Sequence, residues 1–195
     1  MFESFDEAWH AFLLRTEPLE SFFDGFPDDR GAVMEGWLIA LPPEVVTAAR
    51  AIQERLAHLD GLVTVPAHFL HVWIGEAGAA GEAPARWPEL APVELELRRV
   101  SCFHTAVVAE AHGSLGPLLA GSGLNPSTFL PHLSLAYVRD EQPPHELRDA
   151  LVSFRDEPLG RFVADEIALV RFPAGRTTVL QQWEVLRTIR LAAAP

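Results

Sequence analysis

Phe69-Leu-His-Val-Trp-Ile-Gly75 and Phe129-Leu-Pro-His-Leu-Ser-Leu-Ala136 are the two stretches whose reading decides the fold. Each is a short apolar run, rich in residues that favour strands, with one histidine inside it. Side chains alternate between the two faces of a strand. His132 and Ser134 therefore share one face, with Leu133 and Leu135 on the other. His71 and Trp73 likewise share a face, opposed by Val72 and Ile74. The histidines are 61 residues apart, and one such pattern in each half of the chain suggests an internal duplication.

The flanking sequence gives each histidine strand the same setting. Glu35-Gly-Trp-Leu-Ile-Ala-Leu41 reads as a buried strand ended by Pro42-Pro43, and Pro43 suits the first turn of a helix. Val45, Val46, Ala49, Ile52 and Leu56 form that helix's apolar face. Residues 62–75 read as the next strand region. Val93 to Cys102 alternates apolar and polar residues, as a half-buried strand does. Further strands are expected over 105–109 and 129–138, and helices over 115–119 and 144–154. Phe162–Phe172 and Thr178–Leu191 read as a hairpin around Pro173-Ala-Gly-Arg176. Each half thus holds a strand-helix-strand unit. Residues 1–34 read as an N-terminal helical extension, with Phe5, Trp9, Phe12 and Leu13 at helical spacing; residues 35–195 read as the main two-lobed domain. Residues 76–92 read as a mobile loop.

Composition narrows the function. Of 195 residues, 49% are hydrophobic, enough to bury a core in one compact domain or two fused lobes. No apolar run approaches the roughly 20 residues of a membrane helix. The acidic start MFESFDEAWH lacks the basic region of a secretory signal, so a cytoplasmic protein without membrane partners is expected. Cys102 is the only cysteine, which rules out an intrachain disulfide and agrees with a reducing compartment. The formal charge of −12 argues against wrapping long nucleic acid. A small phosphorylated substrate in a local pocket remains open. A monomer is expected.

Pro131-His132-Leu133-Ser134-Leu135-Ala136 resembles the second His-x-Thr/Ser-x signature of the two-histidine phosphoesterases, the RNA 2'-5' ligase and cyclic phosphodiesterase (LigT-like) family. Phe69 to Gly75 sits where the first signature belongs, and Asp165–Arg171 with Trp183–Ile189 resembles the family's C-terminal hairpin. The resemblance spans roughly residues 35–191. It implies an α+β, bilobal fold in which duplicated strand-helix-strand units and antiparallel sheets surround a central cleft. It implies His71 and His132 as catalytic acid and base at a 2',3'-cyclic phosphate or a 2'-5' linkage, with no metal and no cofactor. The partner would be a small nucleotide or an RNA end. Opening a cyclic phosphodiester needs a base to activate water and an acid to protonate the leaving oxygen. Imidazoles on opposite walls suit both tasks.

Ser134, next to His132, is the expected phosphate ligand. Two positions depart from the family pattern. Trp73 replaces the first Thr/Ser; its indole N–H can donate but not accept a hydrogen bond, and its ring could stack on a base. Tyr137 stands where many relatives have Arg, and Arg139, on the same strand face by simple alternation, could compensate. All four join the expected substrate-binding set. Trp73 also motivates the rival reading, a binding protein that keeps the fold and has lost turnover. His68-x-x-His71 has a metal-pair spacing only on a helix; a strand points the two to opposite faces.

Overall fold

The computed structural model describes residues 2–28, 31–77 and 87–192. Among the described residues the α-helices are α1 (Phe5–Leu14), α2 (Pro43–Leu56), α3 (Gly116–Gly121) and α4 (Pro144–Val152). The strands are β1 (Val33–Ala40), β2 (Leu62–Thr64), β3 (His71–Glu76), β4 (Val93–Cys102), β5 (Ala106–Gly113), β6 (His132–Val138), β7 (Gly160–Ala164), β8 (Glu166–Pro173) and β9 (Glu184–Arg190). They form one antiparallel sheet in the order β7-β4-β5-β6-β3-β1-β8-β9, with β2 added on β6. The protein is α+β, and no helix among the described residues is long and apolar enough to cross a membrane.

The sheet order is symmetric about its centre. The histidine strands β3 and β6 lie side by side, flanked by β1 and β5, then β8 and β4, then β9 and β7. The two halves meet at a single registered pair, Val72 opposite Leu133. These residues are themselves 61 positions apart, the same offset that relates His71 to His132. A pseudo-dyad therefore passes through that pair, and the two lobes splay on either side of it.

Each histidine strand carries a bulge at the same point. In β1·β3 the pairing steps from Trp37↔Gly75 to Leu38↔Trp73, so Ile74 is the extra residue. In β5·β6 it steps from Val107↔Ala136 to Val108↔Ser134, so Leu135 is extra. A bulged residue leaves backbone groups unpaired in the ladder. Here side chains from α2 and from the end of α3 reach both bulge carbonyls. The Ile74 carbonyl accepts from the Ser122 hydroxyl at 2.7 Å. The Leu135 carbonyl accepts from the Val65 backbone N–H at 2.9 Å and from the buried amide of Gln53 at 2.8 Å.

The sequence reading and the structure differ in several places. Residues 62–75 are two strands, because Pro66 cannot donate to a ladder and Ala67–Phe69 forms a tight turn. Residues 162–172 are also two strands. β7 pairs with β4 in one lobe and β8 with β1 in the other, with Asp165 alone between them. In a flat sheet those strands would stand six steps, or ~29 Å, apart; the sheet must curl until they meet. The hairpin loop before β9 is longer than read, running to Trp183. Residues 78–86 of the expected mobile loop lie outside the described residues. Its following segment carries Trp87, 1% exposed and edge-on to Trp37 at 5.0 Å.

Residues before β1 pack onto this body. Phe5, Ala8 and Phe12 of α1 are buried, and Trp9 lies over the Arg155 guanidinium at 4.6 Å. Beneath them is a buried ion network centred on Glu110, whose side chain has no exposure. Arg155 meets it at 2.6 Å, Arg99 at 3.0 Å and His112 at 3.0 Å. Arg99 sits at a bulge in β4 with φ 49°, a conformation costing on the order of 1 kcal/mol, which its pairing with Glu110 and Asp6 offsets.

Candidate active site

One cavity of about 380 Å³ lies on the concave face between the lobes, within the size range of small-molecule sites. Five of the six residues expected from the sequence line it: His71, Trp73, His132, Ser134 and Tyr137. Tyr137 arrives there through the Leu135 bulge. Strict alternation from His132 would turn it to the opposite face; the extra residue restores it to the face of His132 and Ser134.

Arg139 does not join them. β6 ends at Val138, and the next backbone amide bonds the Gly61 carbonyl instead of continuing the cleft face. The guanidinium is 55% exposed, donating to the Asp60 carbonyl at 2.8 Å and to Asp140 at 2.9 Å. Strand alternation does not carry Arg139 to the cleft face because β6 stops one residue before it. No arginine or lysine lines the cavity among the described residues.

The two histidines are held alike. His71 Nδ1 lies 2.6 Å from the Phe69 carbonyl and His132 Nδ1 lies 2.8 Å from the Leu130 carbonyl. A carbonyl only accepts, so each Nδ1 carries the proton and each neutral ring keeps its lone pair on Nε2. Aromatic rings crowd both imidazoles: Phe69, Trp73 and Trp183 around His71, and Phe103 and Phe129 around His132. Burial lowers the pKa of His71 to about 4, with the neighbouring His132 contributing in the same direction. Burial also lowers that of His132. Both rings are neutral near pH 7.

The hydroxyls beside them are neutral donors. Burial pushes the Tyr137 phenol up, opposed in part by the adjacent Ser134 hydroxyl, so it remains an O–H group. Phe22 stacks on the Tyr137 ring at 3.6 Å with 12° between planes. Trp73 spans from β3 across β1. A Cβ built on Gly36 would fall 1.8 Å from the tip of the indole, so that glycine supplies the space the ring occupies. The ring stands edge-on to Phe172 at 5.9 Å and to His71 at 6.0 Å.

Several lining residues were not anticipated. Glu76, assigned from sequence to a loop, lies on the cavity wall. The Ile74 bulge places it there as the Leu135 bulge places Tyr137, and Glu76 and Tyr137 are again 61 positions apart. That offset was the available signal. Phe22 and Phe26 come from the segment before β1. The segment is tied to one lobe by the Leu19–Gln142 bridge and to the other by Arg176 pairing with Asp24 and Asp28. It straps the cleft, a long-range contact without a local sequence signature.

One curled antiparallel sheet with the two histidine strands paired at its centre is the LigT-like fold that the sequence resemblance implied. No family model matches the chain, and no curated relative does. Solved structures do. TT0787 of Thermus thermophilus superposes with a TM-score of 0.60 at 21% identity, covering 81% of this chain and 97% of that one. Escherichia coli LigT complexed with 3'-AMP gives 0.55 at 16% identity, covering 91% and 99%. A protein described as a phosphoesterase gives 0.55 at 18%, covering 83% and 100%. The chain has this fold.

Proposed function

We propose that the protein is a phosphoesterase acting on small 2',3'-cyclic or 2'-5'-linked phosphodiesters, with His71 and His132 as acid and base. The observation that carries the reading is the matched presentation of two imidazoles in one cavity, each with Nδ1–H tied back to the carbonyl two residues earlier. Each Nε2 is thereby free to act. Water attacks phosphorus as one Nε2 removes its proton. The second imidazole, protonated, gives its Nε2 proton to the leaving ribose oxygen. The pair ends with its protonation exchanged and the ring opened to a monoester. The pseudo-dyad makes the two assignments of acid and base equivalent in geometry. The reaction requires no metal.

Without substrate both rings are neutral, so the acid must be charged by the substrate. A phosphodiester anion stabilises an adjacent imidazolium and raises its pKa. Ser134 and Tyr137 supply neutral O–H donors to the phosphate oxygens, in place of the family's arginine. The strap carrying Phe22 and Phe26, and a wall without cations, favour a mononucleotide-sized substrate over an RNA strand. Escherichia coli LigT has been crystallised with 3'-AMP, ATP and NADP+, which supports a nucleotide here.

The test is hydrolysis of 2',3'-cyclic nucleotides. His132→Ala and His71→Ala should each reduce kcat by roughly 10²–10⁴-fold, with a bell-shaped pH profile in the wild type. Turnover that survives in the double variant would place the chemistry elsewhere. The loss of a hydroxyl at Trp73 favours a second reading, a nucleotide-binding protein without turnover. Tight product binding with no hydrolysis at any pH would identify it.

A further inference from the structure

The half of the cavity around Trp73 has a feature that hydrolysis alone leaves unexplained. Glu76, an exposed acidic residue at the end of β3, is part of its lining, although the substrate expected there is an anion. Glu76 is paired directly across from Gly36, and the tip of the Trp73 indole fills the space over Gly36. Glu76 and the Trp73 ring therefore lie on the same face of the sheet, on either side of the Gly36 position. Among the described residues Glu76 has neither an ion-pair partner nor a side-chain hydrogen bond, unlike Glu35 one strand away, which Arg171 holds at 2.6 Å. Glu76 occupies in the first half the place that Tyr137 occupies in the second.

We propose that Trp73 and Glu76 form a base-recognition subsite selective for guanine; the proposal rests on the reading of the cleft as a nucleotide phosphoesterase site. A carboxylate only accepts hydrogen bonds, and it accepts best from two adjacent donors. Guanine alone among the common bases offers two on one edge, N1–H and the N2 amino group. Adenine places an acceptor at N1, cytosine places one at N3, and uracil flanks its single donor with two carbonyls. Trp73 supplies the stacking surface, which tolerates any base; Glu76 supplies the choice. The charge also sorts the two ends of the substrate, turning the phosphate toward Ser134 and Tyr137 and the donor edge of the base toward Glu76.

The experiment measures binding of inert nucleoside 3'-monophosphates to the full chain by calorimetry, with guanosine, inosine, adenosine, cytidine and uridine compared. The wild type should bind 3'-GMP at least tenfold more tightly than 3'-AMP, with 3'-IMP between them because it keeps N1–H and lacks the amino group. Glu76→Gln should weaken 3'-GMP at least tenfold and leave 3'-AMP within about twofold. Equal affinity for all five in the wild type, or an unchanged preference in Glu76→Gln, overturns the proposal. Adding an alkylammonium salt distinguishes a different occupant: competition that Glu76→Gln abolishes, with no guanine preference, would make this a cation site and refute base selection. If base preference is absent while hydrolysis still depends on the histidines, only the subsite falls; if no nucleotide binds or turns over, the phosphoesterase reading falls with it.

Discussion

Gly36→Ala probes the placement of Trp73 without touching any reacting group. Gly36 lies in β1 without a left-handed φ, so its backbone accepts alanine. The side chain does not fit. The added Cβ would meet the indole at 1.8, 2.5 and 2.6 Å, far inside van der Waals contact, and Phe172 and His71 crowd the same ring. The ring must leave its place. Overpacking of this kind costs about 1–3 kcal/mol, which for a domain of this size is a fall in Tm of roughly 2–4 °C per kcal/mol. In a Trp73→Thr background the obstacle is gone, and replacing a strand glycine by alanine should stabilise by about 0.5–1 kcal/mol. The same substitution therefore changes sign between the two backgrounds. The assay is urea unfolding of the four proteins of the cycle, with a coupling of about 1.5–4 kcal/mol expected. A coupling under ~0.5 kcal/mol, the range of independent sites, would refute the reasoning, because the indole could not then lie over Gly36.

Three further outcomes are expected. His71, held at about 4 by burial against 6.5 in the unfolded chain, binds fewer protons folded than unfolded between those values; stability should fall as pH drops from about 6.5 toward 4, by up to ~1.4 kcal/mol per pH unit for this group, and His71→Gln should flatten that part of the curve in pH-resolved denaturant titrations. Glu110→Ala strands the buried Arg155 guanidinium and should destabilise by about 3–5 kcal/mol; a thermal melt within about 2 °C of the wild type would count against the network. Ser122→Ala removes the donor to the Ile74 carbonyl, costing about 1–3 kcal/mol, and should weaken binding to the Trp73 side of the cavity; nucleotide titration of a stable variant with unaltered affinity would separate the bulge from the site.

The histidine strands, the helix opening at Pro43 and the two-lobed α+β plan were legible in the sequence because each rests on local regularities: a period of two in strands, one of about 3.6 in helices, and a proline at a helix start. His71, Trp73, His132 and Ser134 follow from that same alternation within a few residues. The tertiary structure decided the rest. Tyr137 and Glu76 reach the cavity only because Ile74 and Leu135 each add a residue to one strand, and those bulges are held by Ser122 and Gln53, far away in sequence. Arg139 is lost from the site because β6 ends one residue earlier. The strap of Phe22 and Phe26, the meeting of β7 and β8 at Asp165, and the glycine that admits the indole all depend on pairs of residues that pack only after the sheet has curled. A periodicity is written along the chain and survives translation into a local reading. Register and bulges are set by the partner strand, and no single segment encodes its partner.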